Sequence, residues 1–207
     1  MPHTFVPGRD VAVETEVKRS RFLATLRRVE SSEAALAFVE EQRRLYPDAR
    51  HHCWAFVAGD ERAARAERSS DDGEPGGTAG IPMLQVLHHR DLVNVAVVVT
   101  RWFGGIKLGA GGLVRAYSGA VTAALDSVRL VARVRRELFE LEVDHADAGR
   151  VEAELRQRGV SVLGVTYGDR AVLTVATADT DGLTATVASV TSGSGDLRSV
   201  GHQWVDA

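Results

Sequence analysis

LVNVAVVVTRWFGGIKLGAGGLVRAYSGAVTAAL, residues 92–125, joins the most apolar run of the chain to a helix-like run through a glycine-rich connection. Residues 92–100 are dominated by valine and read as a buried strand, whereas LVRAYSGAVTAAL (113–125) has the small-residue spacing of a closely packed helix. Gly104, Gly105, Gly109, Gly111 and Gly112 lie between or at the edges of these runs, beside Arg101, Lys107 and Arg115. Such a connection often exists only to turn tightly and pack closely. Here, however, no Asp or Glu occurs between Asp91 and Asp126 in a chain that is 26% charged. A backbone without Cβ atoms, flanked by cations alone, is suited to bring main-chain N–H groups to an anion.

Upstream, VAVETEVKRSRFLATLRRV (11–29) alternates as two strands or one bent strand. Ser31 or Ser32 then caps a helix whose apolar stripe, Leu36, Phe38, Val39 and Leu45, runs until Pro47. CWAFVAG (53–59) reads as a buried strand, Asp60 to Gly80 as a long polar loop, and IPMLQVLHH (81–89) as a short helix with Pro82 in its first turn. Downstream the pattern is strand (137–144), helix (148–159), strands 161–168 and 171–178 around a Gly168–Asp169 turn, helix (181–193) and a closing strand (197–205). That order, β-α-β-β-α-β, is the split βαβ arrangement of a ferredoxin-like domain. The expected fold class is therefore α+β, with two α/β sandwich domains spanning 1–135 and 136–207.

The 207 residues suffice for one or two domains with a proper core. No run approaches the ~18 apolar residues of a membrane span, and MPHTFVPGRD lacks the pattern of a signal peptide. A single cysteine, Cys53, has no internal partner for a disulfide, so the expected location is cytoplasmic. Net charge is −3, but its distribution is uneven. Residues 1–135 hold 19 Lys+Arg against 16 Asp+Glu, and residues 136–207 hold 6 against 12. The mildly basic first half is compatible with nucleic acid; the acidic second half reads as a solvated surface.

A second candidate segment is RSSDDGEPGGTAGIP (68–82). Asp71, Asp72 and Glu74 are hard oxygen donors, but their spacing does not match an EF-hand loop, and no metal site is assigned. Gly77, Thr78 and Gly80 are instead expected to start a helix whose free N–H groups receive a phosphate. The two glycine-rich segments would then face each other across a groove. His51, His52 and Cys53 alternate sides of a strand and supply too few ligands for zinc. His88 and His89 sit at a helix end, where a cation meets the dipole favourably. Neither a G-x-S-x-G elbow nor an H-E-x-x-H motif is present, so no catalytic residue and no cofactor is assigned.

KRSRFLATL (18–26), HHCWAFV (51–57), DDGEPGGTAGIPML (71–84) and VVVTRWFGGIKLGAGGLVRAYSGAV (97–121) resemble the YigZ/IMPACT family over most of residues 15–130. The resemblance implies a first domain like the second domain of the ribosomal protein S-five superfamily, a fold shared with a domain of elongation factor G and with small-molecule kinases. It also implies a variable, ferredoxin-like C-terminal domain. Eukaryotic relatives in that family regulate translation by binding the activator of a kinase that phosphorylates an initiation factor, largely through an additional N-terminal module.

The resulting expectation is a non-enzymatic regulator of translation and stress response whose partners are RNA or the ribosome, with a translation-related protein as a further partner and no membrane. Arg101, Lys107 and Arg115 would neutralise phosphates while Trp102 or Phe103 stacks on a base. The opposite wall would comprise Asp72, Glu74, Gly77, Thr78 and Gly80. The alternative is a nucleotide- or phosphate-binding enzyme using LGAGGLVRA as a phosphate loop, although the chain has no GxxxxGK[ST] sequence.

Overall fold

The structure, a computed structural model, describes residues 1–6 and 8–207, and the chain divides into two compact units. Unit one comprises Met1–Arg133 with Asp206–Ala207; unit two comprises Val134–Val205.

In unit one, β1 (His3–Phe5), β2 (Val11–Val17), β3 (Ser20–Arg28), α1 (Ser32–Leu45), β4 (His51–Ala58), β5 (Ala66–Ser70), α2 (Gly80–His89), β6 (Val95–Trp102) and α3 (Ala110–Asp126) follow in order. One antiparallel sheet has the order β2-β3-β6-β4-β5. Its central strand β6 explains the valine run within residues 92–100. One face packs under α2 and α3, where Val95, Val97 and Val99 join Phe22, Met83, Leu87 and Tyr117. The other packs on α1, where Ala96 and Val98 meet Phe38, Val39 and Phe56. A strand covered on both faces has no polar side, so its residues do not alternate.

Local chemistry sets the element ends. Ser31, of the two candidate serines, caps α1 by accepting from the Ala34 amide at 3.2 Å. β2 and β3 are joined by Lys18 and Arg19, both at positive φ (47° and 66°), as a two-residue hairpin turn requires.

Two strands differ from expectation. β5 lies inside the segment expected to be loop, pairing with Trp54–Ala58. Its sequence AERSS is polar because it forms the sheet edge and is largely uncovered. β1, only three residues long, pairs with residues 130–132 and is too short to show periodicity.

Unit two continues along β7 (Leu130–Val143), then α4 (His145–Gln157), β8 (Ser161–Tyr167), β9 (Ala171–Thr177), α5 (Thr180–Val190) and β10 (Asp196–Asp206). Its sheet order is β10-β7-β9-β8, the split βαβ topology. Leu141, Leu173 and Val175 of the sheet bury against Val151 and Leu155 of α4 and Leu183 and Val187 of α5. β7 begins seven residues earlier than the expected strand because its first residues pair with β1. The fold is thus α+β, with two sheets and five helices among the described residues. None of those helices is long and apolar enough to cross a membrane.

Candidate phosphate-binding cleft

The register of unit one brings Phe22, Arg101 and His51 into one row across β3, β6 and β4. Cross-strand partners share a sheet face, so Arg101 enters the layer occupied by α3. There it is buried. Its Nη1 donates to Glu74 Oε1 at 2.5 Å, its Nη2 lies 3.4 Å from Ser20 Oγ, and its guanidinium sits 5.3 Å from the Phe22 ring and 5.7 Å from that of Phe103. Tyr117 of α3 donates to the same Glu74 oxygen at 2.8 Å. Burial, with Cys53 and Glu74 close by, pushes the phenol far above its ordinary range, so it stays a donor.

The acid-free stretch of sequence is therefore not acid-free in space. Glu74, from the other glycine-rich segment, supplies its counter-charge. Arg101, expected to neutralise phosphate, is already paired with a carboxylate.

Trp102 is also committed. Its Nε1 donates to Asp48 at 2.8 Å, its ring meets Tyr46 edge-on, and the Arg21 guanidinium lies 4.7 Å over its face. Phe103, by contrast, is 50% exposed.

The segment 71–80 corrects a further expectation. Asp71 accepts from the Gly77 amide at 2.8 Å and from those of Ala79 and Gly80 at 2.9 and 2.8 Å. Its carboxylate fills the start of α2, so those N–H groups are not free for a phosphate. Asp72 accepts from Arg43 and from the His52 amide, both at 2.6 Å. Thr78 is buried and donates to the Pro75 carbonyl at 2.7 Å. The three acids point to different partners, and among the described residues no group of three ligating side chains is placed to hold a metal ion.

Gly104 and Gly80 serve close packing. A Cβ on Gly104 would lie 2.0 Å from the Arg19 backbone, and one on Gly80 2.7 Å from the Ser70 amide nitrogen. The Gly104 amide already donates to Ser20 Oγ at 3.1 Å. Gly105 turns at φ 85° and Gly109 at φ 70°, ψ 167°, the latter a conformation essentially restricted to glycine.

Gly109 is the N-cap of α3, with no side chain to cap the helix and no acid in its first turn. The first intrahelical bond runs from the Leu113 amide to the Gly109 carbonyl at 2.9 Å, which leaves Ala110, Gly111 and Gly112 to present the leading amides. A Cβ on Gly111 would stand 3.5 Å from Arg115 Nη1, an ordinary contact.

A cleft of about 450 Å³ opens at this helix start. Lys107, Leu108, Gly109, Ala110 and Leu113 form one side, Glu74 and Pro75 another, with Arg50 and His51 from the start of β4 and Arg101 and Phe103 from the end of β6. Among the described residues, Arg50, Lys107 and Arg115 are exposed and carry no ion pair. Of the expected site residues, Arg101, Lys107, Gly109 and Glu74 line the cleft; Gly111, Gly112 and Arg115 belong to the adjoining helix start. Trp102, Gly104, Gly105, Asp72, Gly77, Thr78 and Gly80 do not line it.

Arg50 and His51 line it without having been expected there, whereas Phe103 is one of the two rings expected to stack. His51 has one nitrogen committed, since Nδ1 lies 2.8 Å from the Asp72 carbonyl and must donate to it. Among the described residues no activated nucleophile accompanies it. Burial pushes the Cys53 thiol up, and Ser118 donates to the Val114 carbonyl inside α3. The lining thus combines cations, a helix start and an apolar wall. A wider depression of about 760 Å³, near Gly8–Asp10, offers less, because its Arg27 and Arg28 are paired with Asp10, Glu41 and Asp206.

Residues 18–125 match the Impact N-terminal domain. A relative from Haemophilus influenzae, called an IMPACT family member, is 42% identical over 79% of this chain and 79% of its own length. The chain belongs to the IMPACT family. YigZ, an IMPACT family member from Escherichia coli, is 40% identical over 85% of this chain and 86% of its own. Residues 141–194 match a domain of unknown function (DUF1949), so the family signal reaches both units. A crystal structure of a hypothetical protein is 38% identical, with a TM-score of 0.67 over 97% of this chain and 98% of that one. The cleft lies wholly within the segment matched by the Impact domain.

Proposed function

We propose that this IMPACT family chain is a non-enzymatic, cytoplasmic regulator of translation that binds RNA, free or on the ribosome, through the cleft at the start of α3. The translation role rests on the family resemblance. The binding mode rests chiefly on one observation: α3 starts without a capping side chain or an acid, beside Lys107 and Arg50, which carry no ion pair among the described residues. A helix N-terminus carries about half a positive charge, which favours an anion. Cations placed there are unfavourable until an anion arrives. Phe103 provides an exposed ring on which a base stacks. The acidic balance of residues 136–207 repels a polyanion, which favours unit one as the contact surface.

The test is RNA binding across a salt series. Affinity for a single-stranded oligoribonucleotide should fall with salt, and Lys107→Ala or Arg50→Ala should each flatten the log–log slope by about 0.7. Variants that match the wild type at every salt concentration would remove the cleft from the account.

A further inference from the structure

The dimensions of the cleft and its charge concentration narrow the ligand beyond "RNA". Grooves that track a strand without reading its sequence accommodate about 4–16 nucleotides. This cleft, at about 450 Å³, lies in the lower part of the roughly 300–1,000 Å³ range of pockets that enclose one small ligand. It has room for one nucleotide. Lys107, three residues before the first residue of α3, and Arg50 are the cleft's unpaired cations among the described residues, while Phe103, Leu108 and Leu113 supply apolar surface. An internal phosphodiester carries one negative charge, whereas a phosphomonoester carries about 1.5 to 2 at neutral pH. Two cations and a helix dipole are better matched to the second.

An independent observation points the same way. Arg101 is only 6% exposed and lines the cleft, yet its Nε–H has no hydrogen-bond partner. Glu74 and Ser20 occupy its terminal nitrogens. A buried guanidinium in the cleft wall thus keeps one donor unspent, which an entering acceptor reaches once the side chain shifts.

Building on the RNA reading above, we propose that the cleft seats the terminal nucleotide of an RNA strand, with the terminal phosphomonoester at the amides of Ala110–Gly112 and its base on Phe103. The strand end, and not an interior stretch, is what the site recognises.

The test uses the full chain and three oligoribonucleotides of one sequence: 5′-phosphorylated, 3′-phosphorylated, and hydroxyl at both ends. Fluorescence anisotropy should show one phosphorylated form binding about ten-fold more tightly than the hydroxyl form, as added charge-assisted hydrogen bonds give, and the two arms identify the end. Gly111→Asp is the companion variant, because an acid in the first turn favours the helix while repelling a phosphate. It should fold as well as the wild type and lose the preference. Equal affinity for all three oligomers would overturn end recognition while leaving RNA binding intact. If none bound, both proposals would fall together.

Discussion

Arg101 Nη1 lies 2.5 Å from Glu74 Oε1, and the two side chains are only 7% and 4% exposed. The pair joins β6 to the loop before α2, and Tyr117 ties α3 to the same oxygen. Removing one member of such a pair strands the other charge in a low-dielectric interior, at a cost of about 3–5 kcal/mol. Glu74→Leu and Arg101→Met should each lower unfolding stability by that order. The apolar double variant Glu74→Leu/Arg101→Met should recover much of the loss. Urea unfolding of the four proteins in a double-mutant cycle checks this, and strictly additive losses would contradict the coupling.

Asp71 gives a pH dependence of known sign. Burial opposes its ionisation, but the amides of Gly77, Gly80 and Ala79 outweigh that and hold its carboxyl below the ordinary range. A depressed folded value means stability present above the unfolded value, about 3.9, and lost as pH falls through the folded one. Asp71→Ala, which removes the acceptor at the start of α2, should cost about 1–2 kcal/mol at neutral pH. Thermal melts of the two proteins should converge as pH drops below about 3.9. A gap that stayed constant to low pH would show that the ionised carboxylate is not the stabilising species.

The glycines of residues 104–112 should not respond alike to alanine. At Gly104 the new Cβ would meet backbone at 2.0 Å, so Gly104→Ala should destabilise unit one severely, by about 4 kcal/mol or more. At Gly105 there is open space and only the positive φ is strained, so the cost should be about 1 kcal/mol. Chemical denaturation of the two single variants separates packing from conformational roles. Equal losses would refute the division.

What the sequence made legible follows from burial. β6 could be read because helices cover both of its faces, and unit two because its strands alternate around a single packed side. β5 could not, since an exposed edge strand needs no apolar residues. The two glycine-rich segments stood out through an acid gap and a cluster of acids. Their partners did not. That Glu74 reaches Arg101, and that Asp71 closes the start of α2, depends on how a loop folds back, which leaves no periodic trace. Arg50 carries no signal in the sequence, and its place in the cleft is set by the His51–Arg101 register, a pairing 50 residues apart.

The central claim is that the start of α3 receives RNA phosphate. An amide-resolved NMR titration of the full chain with a short oligoribonucleotide tests it most directly. The account predicts that Ala110, Gly111 and Gly112 show the largest shifts, with Phe103 following and unit two largely silent. Saturable binding whose shifts lie in unit two, with those three amides unmoved, would contradict it.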